Sequence, residues 1–413
     1  MTVDVLVVGA GPAGSAAARR LAERGHRVVV VERRPFPRPK ACGDSLTPTA
    51  VQALVEIGID LDDAHRIDGV ALTDGDRRRT IDWASAPDAP PVGRAVRREA
   101  LDERLARHAV SAGVELLEGH EAIEPVVERG LVRGAVVRTA LGQEVTLRST
   151  YLIVADGANS TFGRALGTSR ARSWPHGTAL RAYWAADGHD THRHELGLGI
   201  GLGGRGRDSV PGFGWVVPLG DGTVNVGVSV IGSAVADVRA VNSARLLDAW
   251  AAQVADRWGL DPRRPQSTPS AGRLAVGGSV EPKAGPTFLV IGDAAGTGSP
   301  LLGNGVDTAL TSGLLAADVV HDALGAEGPT ALARYPRELA TRHGDFWKLG
   351  RLAVRAMSRP AVARRVARLA TGSGTTPEVL MRLALDERRE HDGGAVDMLF
   401  RTGVALSRFA PDA

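Results

Sequence analysis

Val5-Leu6-Val7-Val8 is an unbroken apolar run, and Val28-Val29-Val30-Val31 is a second one closed by Glu32. Continuous β-branched runs predict buried parallel strands, and the alanine-rich stretch from Ser15 to Glu23 has the period of a crossover helix between them. Two more apolar runs, Tyr151-Leu152-Ile153-Val154 and Phe288-Leu289-Val290-Ile291, each end in a turn that contains glycine and aspartate. From Gly167 to Arg273 the pattern changes to short alternating segments, notably Gly212 to Pro218 and Thr223 to Val228. Alternation of this kind predicts an antiparallel sheet with one covered face. Beyond Leu332 the chain reads as helical.

The turn between the first two runs is Gly9-Ala10-Gly11-Pro12-Ala13-Gly14, and Glu32 and Arg33 stand at the end of the second strand. In a strand–turn–helix setting this is a dinucleotide fingerprint. Gly9 allows the tight turn, Gly11 lets a pyrophosphate approach the backbone, and Gly14 permits close helix packing. The helix N-terminus then faces the phosphates, and Glu32, about 20 residues on, is placed for a ribose. Asp156-Gly157 and Gly292-Asp293 could each be a strand-end turn satisfied by an aspartate side chain. Together and in this order they resemble the nucleotide-contact segments of the glutathione-reductase-type FAD fold of aromatic hydroxylases, flavin halogenases and geranylgeranyl reductases. That resemblance implies FAD as cofactor, Asp293 on its ribityl chain, and Arg98 near it; otherwise Arg98 is an exposed helix cation. The loop with Pro300, Gly303, Asn304 and Gly305 runs into the helical stretch Thr308 to Leu324, whose N-terminus would put positive partial charge beside a flavin.

Composition narrows the function classes. A chain of 413 residues with 43% hydrophobic and 23% charged residues is a folded protein with room for two or three domains. Its single cysteine, Cys42, excludes an intrachain disulfide and a cysteine-based zinc site, and no metal is expected. No apolar run is long enough to cross a bilayer and no charged leader precedes Val3, so a cytoplasmic protein is expected. A net charge of +3 with only 4% aromatic residues gives no stacking platform for nucleic acid. Lys348, Arg351, Arg355, Arg359, Arg364, Arg365 and Arg368 form a stretch without an acid, either a solvated helical face or a peripheral contact with an anionic membrane.

The segment Lys40-Ala41-Cys42-Gly43-Asp44-Ser45-Leu46-Thr47-Pro48 carries a narrower likeness, together with Gly214, Trp215 and Pro218 and the loop from Pro300 to Asp307. These residues resemble the geranylgeranyl reductase family, and most closely its menaquinone reductase branch, which saturates one isoprene unit of a menaquinone tail. The resemblance implies an FAD-dependent reductase of a carbon–carbon double bond in a polyprenyl chain of menaquinone or geranylgeranyl type. The chain departs from the family pattern at Phe213, often Tyr, at Ser45, often Gly, and at Asn304, often Glu; these changes leave the proton donor open.

An isolated alkene has no carbonyl to accept developing charge, so hydride delivery must be coupled to proton donation. Cys42, with a thiol pKa near about 8.5 when unperturbed, is a candidate donor or a small apolar wall. Lys40 could lower that thiol's pKa by its charge, or hold a pyrophosphate or quinone head. Phe213, Trp215 and Pro218 are candidate walls for an apolar chain. The competing reading is an FAD-dependent monooxygenase or halogenase acting on an aromatic or polyketide substrate, because Phe213 to Pro218 is also a degenerate form of a tryptophan-rich halogenase element. No separate nicotinamide fold is visible, so NAD(P)H or another electron donor would bind transiently. The expected class is α/β, with a discontinuous FAD-binding domain (1–70, 95–167, 271–330), an inserted antiparallel β substrate domain (71–94, 168–270) and a helical C-terminal region (331–413).

Overall fold

The computed structural model describes residues 2–83, 92–170, 174, 176–199, 212–231, 242–387 and 394–407. The rest of the expected substrate domain and of the C-terminal region lies outside the described residues.

The strand Thr2–Val8 is central to the first sheet, parallel to Val28–Glu32 on one side and to Glu144–Val154 on the other. Glu115–Glu118 and Phe288–Val290 extend it in parallel, and Ala284–Gly285 closes one edge antiparallel. The β-branched runs are continuous because both faces are covered. Val5, Val7, Val28 and Val30 pack against the helices Pro12–Glu23 and Val306–Leu324. Leu6, Val8, Val29 and Val31 pack against a hairpin, Glu121–Glu128 with Leu131–Arg138, that the apolar pattern did not disclose.

The second sheet has seven strands in the order Ser270–Ala275, His176–Ala185, Thr223–Ile231, Gly212–Pro218, Arg193–Leu198, Gly69–Asp74, Arg77–Asp82. All neighbours are antiparallel except Arg193–Leu198 with Gly69–Asp74. Because Ser270–Ala275 pairs with His176–Ala185, the expected boundary at 271 falls inside a strand of this sheet. One face, with Val216, Val224, Val226 and Val228, is buried under the helix Ser243–Trp258. The opposite face carries Phe213, Trp215 and Val217 and is roofed by Ala370, Met381 and Leu385 of the C-terminal helices. Both faces are therefore covered, where the alternation had suggested one.

The C-terminal region is helical, with Arg334–Met357, Pro360–Ala370, Thr376–Ala384 and Ala395–Ser407. Arg351 leaves the basic stretch: it is buried, donates from Nη1 to the Gly277 carbonyl at 2.5 Å, and lies over the Trp174 ring at 3.9 Å. Arg355, Arg359, Arg364, Arg365 and Arg368 are exposed. Among the described residues no helix is long and apolar enough to cross a membrane.

Candidate functional site

The glycine-rich turn follows the strand Thr2–Val8 and opens the helix Pro12–Glu23, with Pro12 at its first turn, where a missing N–H costs nothing. Gly9 has φ +102°, and a Cβ there would lie 2.4 Å from the Ala155 carbonyl oxygen; one on Gly14 would lie 2.0 Å from the Gly9 oxygen. Packing demands those two glycines. Above Gly11 the space is open, its nearest neighbour being Arg38 Nη2 at 3.9 Å. An open backbone beside a helix N-terminus with a guanidinium overhead is built for a pyrophosphate. Glu32 accepts the Ala10 N–H (3.0 Å) and the Arg34 N–H (3.2 Å) and stands 3.3 Å from Arg38 Nε. Arg33 is exposed at the strand end.

The second and third segments converge on the same cavity, which Gly157, Gly292, Asp293, Gly303, Asn304 and Gly305 line along with Gly11, Pro12 and Ala13. Gly292, with φ +56°, would place a Cβ 2.8 Å from that of Ala13, and its N–H donates to Ser312 Oγ at 3.0 Å. Asp293 faces Lys40, with Nζ to Oδ2 at 3.1 Å. Asp156 does what a turn aspartate does: its Oδ2 accepts the Phe162 N–H at 3.0 Å, and burial pushes its carboxyl up. Gly305 caps the helix Val306–Leu324, and beside it Asn304 Oδ1 and Asp307 Oδ1 are buried without a hydrogen-bond partner among the described residues. Burial pushes the Asp307 carboxyl up as well. Open glycines, polar atoms free to bond a ligand and an unpaired helix N-terminus fit an FAD. Pro300 does not line the cavity; it is packed against Gly350, whose added Cβ would meet its ring at 2.1 Å.

The cysteine segment lies between this cofactor cleft and the second sheet. Cys42 is half-buried, and its Sγ accepts the Asp44 N–H at 3.4 Å. The cation on the thiol is Arg98: it is buried rather than exposed, hydrogen-bonds Cys42, and grips Asp102 Oδ1 from Nε (2.9 Å) and Nη2 (2.8 Å). Burial opposes the Arg98 charge, but Asp102 and Cys42 outweigh it and hold the guanidinium firmly protonated. Arg38 Nη1 reaches the other Asp102 oxygen at 3.1 Å, so Glu32, Arg38, Asp102, Arg98 and Cys42 form one run of contacts. Lys40, paired with Asp293, is held toward the cofactor segments.

Asp44 is left-handed, with φ +61°, a conformation that costs a non-glycine residue about 1 kcal/mol or more. Its carboxylate holds that shape: Oδ1 accepts the Arg98 backbone N–H at 3.0 Å, and Oδ2 accepts from Tyr183 Oη and Asn225 Nδ2, both at 2.7 Å. Burial pushes this carboxyl up, while the Tyr183 and Asn225 bonds and the Arg181 charge pull it back. Asn225 also donates to the Cys42 carbonyl (2.8 Å) and accepts Trp215 Nε1–H (3.0 Å).

Beyond Cys42 the cavity becomes apolar, walled by Phe213, Trp215, Val217, Leu196, Met381 and Leu385. Strand alternation decides which residues reach it. Phe213, Trp215 and Val217 do; Pro218 falls on the other face and leaves the expected pocket, Val217 taking its place. Trp215 spends its only polar group on Asn225 and lies over Gly227, where a Cβ would be 2.1 Å from its ring. Its side chain is a wall. On the neighbouring strand the same alternation brings His194 to the cavity, buried, with Nδ1 3.0 Å from Ser45 Oγ and its ring edge-on to Trp83.

Asp44, Arg38, Asp102, Tyr183, Asn225 and His194 were not singled out from the sequence. Asp44 stands inside the cysteine motif and Asp102 one helical turn after Arg98, so those two had a local signal. Tyr183, Asn225 and His194 reach the site from distant strands through pairing alone.

The FAD binding domain family matches residues 2–185. The chain is 33% identical over 411 residues to a menaquinone reductase of Mycolicibacterium smegmatis, covering 98% of this chain and 97% of the relative. It is 30% identical over 325 residues to a digeranylgeranylglycerophospholipid reductase of Methanosarcina mazei, covering 78% and 76%. A solved geranylgeranyl bacteriochlorophyll reductase-like protein of Thermoplasma acidophilum shares the fold with a TM-score of 0.78 at 24% identity, covering 96% of this chain and 98% of that one. Solved flavin-dependent halogenases share the fold at lower TM-scores and lower identity.

Burial lowers the His194 pKa from its ordinary 6.5 to about 4. Between those values the unfolded chain binds a proton that the folded chain refuses, so the unfolding free energy falls as pH drops from 6.5 to 4. In urea denaturation across that window the parent protein should lose on the order of 3 kcal/mol more than His194→Phe. Equal losses would contradict the burial assigned to this ring.

Proposed function

The chain belongs to the family of FAD-dependent oxidoreductases that includes menaquinone reductases and digeranylgeranylglycerophospholipid reductases, and from that membership we propose that it saturates a carbon–carbon double bond in a polyprenyl chain carried by a quinone. The observation that carries this reading is the position of Cys42, where the cofactor cleft meets an apolar, aromatic-walled cavity. A monooxygenase or halogenase on an aromatic substrate would not require a thiol and a guanidinium in contact at that junction.

Gly11, Arg38, Glu32, Gly292, Asp293 and the Gly303–Gly305 segment would hold FAD, with Asp293 at its ribityl chain and Lys40 as that acid's counter-ion. When bound, FAD supplies the hydride. The chain's own part is to hold the alkene against Phe213 and Trp215, exclude water, and deliver the proton that the developing carbon charge demands. Cys42 Sγ–H gives that proton. Arg98 and the Asp44 N–H then face the thiolate left behind, and such charge-assisted bonds stabilise it until solvent reprotonates it. No other group in reach competes: Phe213 has no phenol, Asn304 is neutral, and the Asp44 carboxylate is closed in by three donors. NAD(P)H or another donor reduces the cofactor by transient binding.

The polyprenyl substrate is a membrane lipid, so the protein works at the inner face of an anionic membrane without spanning it. Support comes from Arg355, Arg359, Arg364, Arg365 and Arg368, exposed and without an acid between them, and from Leu369, Met398, Leu399 and Leu406, exposed at 46, 63, 51 and 65%.

Cys42→Ser should retain bound FAD and its visible spectrum but lose double-bond saturation by at least about a hundredfold, the usual worth of a positioned acid; product mass spectrometry on menaquinone reads it. Full activity in that variant ends the proton-donor role. Arg364→Glu with Arg365→Glu should lower co-sedimentation with phosphatidylglycerol vesicles, and each lost cation is worth about 1 kcal/mol near such a surface. Unchanged co-sedimentation would leave those arginines as a solvated face.

A further inference from the structure

The apolar cavity contains a polar group that the proposed chemistry does not use. His194 is 7% exposed, lines the cavity, and has no hydrogen-bond partner for Nε2 among the described residues. An orphaned buried nitrogen costs about 1–3 kcal/mol, so a structure that keeps one has a use for it. Its setting leaves few choices. Glu195 and Gly197, its alternate neighbours on the strand, turn to the opposite face, where Glu195 is taken up by Arg257 and Trp258. Leu196 and Trp83 border His194 on the cavity side, and the only hydrogen bond on the ring is the one between Nδ1 and Ser45 Oγ at 3.0 Å. Burial keeps the ring neutral, with a pKa of about 4. When Ser45 donates its hydroxyl hydrogen to Nδ1, the ring's own hydrogen must sit on Nε2. The cavity is thereby given one uncharged donor three residues along from Cys42.

We propose that His194 Nε2–H donates to an oxygen of the substrate's neutral head group, a ring carbonyl of a quinone, with Ser45 as the positioning residue that sets the tautomer. A neutral donor among Trp83, Leu196 and Phe213 suits a carbonyl and does nothing for a diphosphate, whose charges would need cations in this part of the cavity. This rests on the prenyl-quinone reading above and adds to it the recognition of the head group. It also gives Ser45, one of the positions where the chain departs from its relatives' pattern, a chemical reason.

The test is binding to the oxidised holoenzyme, without turnover, followed by flavin fluorescence. The ligands are menaquinone, geranylgeranyl diphosphate and squalene, a polyprenyl hydrocarbon without oxygen. His194→Phe should weaken menaquinone by about three- to tenfold, the worth of one neutral hydrogen bond, and leave squalene and the diphosphate unchanged. His194→Gln, which keeps a donor, should recover part of the loss, and Ser45→Ala should show a smaller loss confined to menaquinone. Equal weakening of menaquinone and squalene would make His194 a packing residue, and an unchanged menaquinone affinity would leave its donor unused; either result overturns the proposal while the reductase reading stands. If the parent protein binds neither menaquinone nor squalene, the reductase reading fails, and this proposal with it.

Discussion

Three donors from three separate elements converge on the carboxylate of Asp44: the first N–H of the helix Arg98–Ser111, Tyr183 on one strand of the antiparallel sheet and Asn225 on the next. The residue is 1% exposed and its backbone is in a conformation that L-residues avoid. A buried carboxylate stripped of one partner costs about 3–5 kcal/mol, far more than the backbone strain, so the loop cannot relax without breaking several bonds at once. That constraint joins the cofactor-binding sheet to the substrate sheet. It also fixes the position of Cys42, because the Asp44 N–H faces the sulfur and Asn225 holds the Cys42 carbonyl.

The rest of the site follows from that junction. Arg98 starts its helix on Asp44 and is thereby brought to the thiol, and Asp102, one turn later, keeps the guanidinium in place. Asn225 takes the indole hydrogen of Trp215, which lets a large ring lie flat over Gly227 as an apolar wall with no unpaired polar atom. Tyr183 is stacked between the guanidinium groups of Arg97 (4.2 Å) and Arg181 (4.3 Å) and presses its hydroxyl on Asp44. Burial and the neighbouring carboxylate raise its phenol well above the usual range, so it stays a hydrogen-bond donor and not an acid for the substrate. The division of labour is physical: charges and hydrogen bonds are spent holding the cysteine loop, and the cavity beyond is left to apolar contact.

The cofactor half was legible in the sequence because its constraints are local. Gly9, Gly14 and Gly292 are glycines for reasons of backbone angle and close contact within a few residues of a strand end, and the apolar runs around them show the parallel sheet directly. The substrate half was only partly legible. Alternation in Gly212 to Pro218 disclosed a strand, but which face met the substrate depended on register with Arg193–Leu198 and on helices roofing the sheet, so Pro218 was placed on the wrong side and His194 was passed over. Arg351 looked like one of a row of surface cations, although a contact with Trp174, nearly two hundred residues earlier, buries it. Partners so distant leave no periodic trace.

The central claim is that the junction at Cys42 serves alkene reduction and not oxygen chemistry. Its most direct test is a single turnover without oxygen: reduce the holoenzyme with dithionite, add menaquinone, and follow the flavin spectrum and the mass of the recovered quinone. Reoxidation of the flavin with a gain of two hydrogens on the prenyl chain is the predicted result. A flavin that stays reduced until air is admitted, with the side chain unchanged in mass, would contradict the account.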